Sequence, residues 1–229
     1  MRAAELEPRP ERSARERILH ASCELIAERG IGGARIAQIA KAAGVSTALV
    51  HYHFRTREVL LSETLDYAFD LAAAVRVRPA EDEAANGAGG SAARRLADVI
   101  EQSLPETEPG RREWQLWAEL WLGAARDPSL RPIAAQMYAR YRTWIATAIA
   151  EGVATGEFAP VDAGATADLA MALIDGLGLR LLLRDPSMPL EHARERIGEV
   201  LARELEIPAG RLPFARAAAH AEGRGGETR

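Results

Sequence analysis

Apolar residues recur along this chain at intervals of three and four, and no alternating apolar–polar run persists between turn signals. That period keeps one helix face turned inward, so the pattern predicts an all-α protein of about nine helices. In residues 12–29, Ile18, Ala21, Ser22 and Leu25 share a stripe, and Gly30, Gly32 and Gly33 end it. Residues 35–43 repeat the pattern with Ile36, Ile39, Ala40 and Ala43. Gly44 breaks it, Ser46 caps a third helix, and Thr56 caps a fourth that runs to residue 76. Further helices are expected over 92–104, 111–126, 129–155, 162–184 and 189–206, punctuated by Pro105, Gly110, Pro128, Gly156, Pro160 and Pro186. The stretch RPAEDEAANGAGGSA, residues 78–92, lacks large apolar side chains and reads as a loop. The expected organisation is a small helical domain over 1–57, a larger one over 58–207 and a disordered tail over 208–229.

Composition narrows the class. With 48% hydrophobic and 27% charged residues the chain has an ordinary globular balance. No apolar run reaches the roughly 18 residues of a membrane span, and the opening MRAAELEPRPERSARER has no apolar signal-like core, so a cytoplasmic location and no membrane partner are expected. Cys23, the single cysteine, lies between apolar helix positions and reads as a small core residue. The net charge of −4 is unevenly spread. Residues 1–57 hold ten basic and six acidic side chains, a balance of +4, which leaves −8 for the remainder. A local basic surface is what phosphate binding needs, and this asymmetry permits it at one end.

Three short helices with a glycine turn between the second and third make a helix-turn-helix pattern. Gly44 suits a left-handed helix end, and Val45, Val50 and Phe54 would pin the third helix to the first two. Its other face offers Thr47, Ala48, His51 and Tyr52, with His53, Arg55 and Arg57 at the end. Small residues at the start allow approach to base edges, and the hydroxyl, imidazole and guanidinium groups behind can bond phosphate oxygens. A plain solvated helix surface would look the same by spacing alone. His51 and His53, two apart on a helix, diverge too far to share a metal ion, and no metal site is expected. The run IAQIAKAAGVSTALVHYHFRTREVLLSETL, residues 36–65, strongly resembles the DNA-binding signature of the TetR family. The resemblance implies a recognition helix over Ser46–His53, with Thr47, Ala48 and Leu49 near bases and His51, Tyr52 and His53 near the backbone of double-stranded operator DNA. Arg35, Gln38, Ser46 and Arg55 complete the expected interface, and the resemblance puts Arg57 where the family usually has a phosphate-binding lysine. Arg35 stands where the family often has a capping threonine.

The same resemblance implies a helical regulatory domain with a small-molecule pocket and a homodimer interface. Trp114, Trp117 and Trp121 share one helical face, and Met137, Tyr141, Trp144 and Ala148 share another, a pattern that fits a packed core or a pocket lining equally well. Asp175 interrupts the apolar run AMALIDGLGLRLLL and needs an internal partner, such as an arginine, or a cationic ligand. The segments WQLWAELWLGAARDPSLRP and ALIDGLGLRLLLRDPSMPLEHAR are similar to the C-terminal domain of choline-responsive repressors of the betaine pathway, although Gly178 stands where that group tends to carry a tryptophan. Aromatic rings with an acid suit an organic cation. For dimerisation the candidates are Leu169, Leu173, Gly176, Leu177 and Leu181 on one helix and Ile197, Val200, Leu201 and Leu205 on the last. Two such helices from each subunit would form a four-helix bundle; packing within one chain would use the same stripes. No P-loop, GxSxG, metal cluster or nucleotide-binding glycine turn is present, so neither an enzyme nor a cofactor is expected. The reading is a repressor released by an effector; an activator of the same family and a helical protein-interaction adaptor are its rivals.

Overall fold

The computed structural model describes residues 12–76, 91–208 and 210–214, and within them every regular element is helical. The nine α-helices among the described residues are α1 (Ala14–Gly33), α2 (Ile36–Ala43), α3 (Thr47–His53), α4 (Arg57–Arg76), α5 (Ala92–Glu101), α6 (Glu108–Arg126), α7 (Arg131–Ala154), α8 (Ala163–Leu182) and α9 (Leu190–Glu204). A single 3₁₀ turn, Pro128–Leu130, joins α6 to α7. The expected loop over 78–92 falls almost wholly outside the described residues.

Helix boundaries follow local chemistry. Ser13 and Glu16 form a reciprocal capping box at the start of α1, satisfying donors that a helix leaves open there. Gly30, with φ 73°, interrupts the helix without ending it, and one more turn carries α1 to Gly33. A side chain at Gly30 would meet the Glu119 carboxylate. Thr56 caps α4 through a hydrogen bond from Val59 N at 3.2 Å. α6 begins three residues earlier than the apolar pattern indicates, because Thr107 caps it and Pro109 fits its first turn. α5 is capped locally by Ser91, which accepts from Arg94 N at 3.2 Å, and also from afar: the Glu157 carboxylate accepts hydrogen bonds from Ala92 N at 2.9 Å and Ala93 N at 3.3 Å.

By their contacts the residues group into two compact units. The first holds residues up to 78 together with 107–141; the second holds 79–106 and the chain from 142 on. In the first, α1 packs on α2, α4 and α6, around Ile18, Leu19, Phe54, Leu65 and Leu120. In the second, α8 packs on α9, with Leu96, Ile100, Ile149, Ile174, Ile197 and Leu201 buried. Arg194 is buried among them at 5% exposure. Its Nη2 donates to Glu106 at 3.0 Å, and its Nε lies 3.2 Å from Glu101, close enough to pair as charges though off line for a hydrogen bond.

Two expectations change. The described part of the tail is packed rather than disordered: Leu212 is buried, and Pro213 O accepts from Arg94 at 2.9 Å. The rest of the expected tail lies outside the described residues. Ile197, Leu201 and Leu205 are each 0% exposed within a single chain, so they are core and present nothing to a second subunit. Leu181 is also buried, at 8%.

Candidate functional site

A helix of seven residues such as α3 is too short to persist in water alone. Ser46 holds one end, its Oγ accepting from Leu49 N at 3.1 Å. Gly44, at φ 65° and ψ 38°, turns the chain out of α2, a conformation strained for any residue with a Cβ. Val45 N then bonds back to Ala40 O at 2.9 Å. Val50 and Phe54, one turn apart, are 0% and 1% exposed and fasten the inner side.

With that side fixed, the outer side is free for chemistry. Thr47, Ala48, His51 and Tyr52 are all exposed, Tyr52 at 80%, while Leu49 and His53 are half-buried. The Tyr52 and His53 rings meet edge-on at 5.3 Å, which limits their rotation. Arg35, Ser46, Arg55 and Arg57 are exposed around this helix. Arg35 gives α2 no side-chain cap. Half-buried Gln38 tidies that end instead: with its amide suitably turned, it donates to Gly33 O at 3.1 Å and accepts from Arg29 at 3.0 Å. Arg57 already donates one N–H to Ile31 O, which anchors the start of α4. Thus all eleven residues expected at a DNA interface lie on α2, α3, the start of α4 and their joints, inside one compact unit. The sequence reading missed Arg15, which pairs with Glu63 and lies 5.6 Å from the Phe54 ring, tying α1, α4 and the end of α3 together. An arginine among several on a charged first turn carries no sequence signal that singles it out.

The aromatic candidates divide between the units. Trp114, Trp117, Trp121 and Tyr141 belong to the first; Trp144 and Asp175, both half-buried, belong to the second. The tryptophans do not act as one stripe. Trp114 and Trp121 meet edge-on at 6.2 Å, and Trp121 lies 5.4 Å from Tyr138, which the stripe pattern did not include. Trp117 turns to Phe69 on α4 at 6.4 Å, and its indole N–H donates to Glu113 at 3.0 Å. The Trp121 N–H is enclosed and meets no acceptor among the described residues. Asp175 has an interaction within the chain. Of the dimer candidates, Leu169, Leu173, Leu177 and Val200 are half-buried and Gly176 is exposed. Beside them, Leu179 on α8 and Leu183 at its C-cap are 46% and 71% exposed. Gly178 is buried.

Residues 18–64 match the model of bacterial regulatory proteins of the tetR family, and residues 92–206 match that of the BetI-type transcriptional repressor C-terminal domain. The chain belongs to the TetR family of transcriptional regulators. Among relatives, an HTH-type transcriptional regulator BetI of Cronobacter sakazakii is 28% identical over 202 residues, covering 87% of this chain and 93% of that protein. A putative TetR-family regulator from Rhodococcus sp. is 33% identical, with a TM-score of 0.74 over 84% of this chain and 98% of the other. A putative transcriptional regulator from Saccharomonospora viridis, solved in complex with choline, is 32% identical, with a TM-score of 0.69 over 84% and 97%. The TetR match at 18–64 covers α1 from Ile18 on, all of α2 and α3, and the start of α4. The family is one of regulators rather than enzymes. Among the described residues, no helix is long and apolar enough to cross a membrane.

Proposed function

We propose that this TetR-family regulator is a repressor that binds operator DNA as a two-fold dimer and leaves it when a small molecule binds. The observation carrying this reading is α3, whose inner side is clamped by Val50 and Phe54 while Thr47, Ala48, His51 and 80%-exposed Tyr52 face outward. In the dimer, two such helices enter successive major grooves about 34–36 Å apart. The half-buried and exposed residues Leu169, Leu173, Gly176, Leu177 and Val200, with Leu179 and Leu183, are the proposed contact between subunits.

The proposed effector is an organic cation bearing an oxygen acceptor. Trp114, Trp121 and Tyr138 offer ring faces of the kind that attract a cation, and a ligand oxygen would satisfy the Trp121 N–H. The effector can release DNA only by its differential affinity for two arrangements of the protein. A gel shift on a duplex that the protein selects from a random pool tests the reading. Binding should weaken steeply with salt, and Tyr52→Ala and Arg57→Ala should each weaken it tenfold or more while the protein stays folded. Binding that neither salt nor these substitutions alter would refute it.

A further inference from the structure

The contacts of the first unit converge on a side chain outside the recognition surface. Arg140 of α7, with its side chain 34% exposed, spreads its guanidinium over two carboxylates of α4. Nη1 donates to Asp66 at 3.0 Å and Nη2 to Asp70 at 2.5 Å. The same group lies 3.9 Å from the centroid of Phe69. Positions 66, 69 and 70 fall on one face of α4, so a single cation engages that face through two charges and a ring. Phe69, 4% exposed, continues the contact to Trp117 of α6. At the other end α4 is bound to the recognition region: Arg57 holds Ile31 O, and Glu63 holds Arg15 beneath Phe54.

We propose that Arg140 is a positioning residue for DNA binding, latching α4 in the setting that places the two recognition helices one helical turn apart. This rests on the two-fold repressor reading above. The latch suits a switch because its parts are half-exposed and therefore weak enough to open. Its planar group is also not replaceable by lysine, which cannot bridge two carboxylates while stacked on a ring. The Phe69–Trp117 contact gives one α6 tryptophan, Trp117, a direct hold on it.

The test uses the full-length protein and the duplex selected by the wild type. Arg140→Met should weaken binding tenfold or more with an unchanged salt slope, because no phosphate contact is lost. It should lose less on duplexes with half-sites respaced by one base pair. Amide exchange over residues 57–71 should quicken while that over 163–204 stays as it was. Arg140→Lys should fall between, and Asp66→Arg combined with Arg140→Asp should recover part of the binding. Wild-type binding and exchange in Arg140→Met would overturn the latch. So would a flattened salt slope, which would make Arg140 a DNA contact, or faster exchange in both units, which would make it a general stabiliser. Failure of the wild type to select any duplex would sink the repressor reading instead, and α4 exchange would still decide the latch.

Discussion

The two units of this regulator share one means of holding helices together and differ in another. In the first, the cross-helix ion pairs lie at the surface: Arg15–Glu63, Arg112–Glu24 and Arg140–Asp66 all have side chains about a third to a half exposed. The second has such surface pairs too, Arg95–Glu151 and Arg142–Asp168, but adds a buried one, with Arg194 6% and its partner Glu101 10% exposed. Exposed pairs are each worth about 0–1 kcal/mol and are screened by salt. A buried charge cannot give up its partner without a large penalty. Both units thus carry ties that open readily, and the second carries in addition one that does not.

The sharpest way to break this contrast is Arg194→Met. It leaves Glu101 buried without its cation and should cost about 3–5 kcal/mol of stability, read by urea denaturation. A loss under about 1 kcal/mol would erase the distinction. Next come the caps. Ser13→Ala, which removes half of the α1 capping box, should cost about 1 kcal/mol. Arg112→Ala should cost less than about 1 kcal/mol at low salt and nothing measurable at high salt.

Acid sharpens the comparison from the second unit. Hydrogen bonds from Ser187, then the Arg180 guanidinium, hold the Asp185 carboxyl down at about 2. Burial works to raise Glu157, but the bonds from Ala92 and Ala93 outweigh it and leave this carboxyl below its usual range. A depressed carboxylate stabilises the fold fully above its unfolded value, near 4, and loses that contribution as pH falls through its folded value. The α5 cap and the Asp185 turn should therefore loosen in the acid limb below about pH 4, with amide exchange at Ala92, Ala93 and Ser187 as the readout. The smallest effect concerns Cys23. Burial, then the nearby Glu24 charge, pushes its thiol up to about 12. The native protein at pH 8 should therefore leave a thiol reagent unconsumed until denaturant is added. Rapid native labelling would place Cys23 outside the packed first unit.

Local chemistry made most of the fold legible. Ser46, Gly44 and Thr56 each mark a boundary through their own hydrogen bonds or dihedral angles, so the helices of the recognition region stand where their residues indicate. The exposed face of α3 follows from the spacing of Val50 and Phe54, its buried complement. Long-range choices were hidden. Apolar spacing gives a face but not its partner, so Ile197, Leu201 and Leu205 fitted a subunit interface as well as the interior they occupy. Nor does spacing tell that Trp117 turns to Phe69 while its neighbours turn to each other and to Tyr138. Arg140 and Arg194 look like any other helical arginines until the distant carboxylates Asp70 and Glu106, 70 and 88 residues away, are in place.

The central claim is that α3 lies in the major groove and is presented twice. Chemical footprinting of the protein on its selected duplex measures this directly. Two protected major-groove patches centred one helical turn apart, both lost in Tyr52→Ala, are predicted. A single patch, or protection that survives the loss of Tyr52 unchanged, would contradict it.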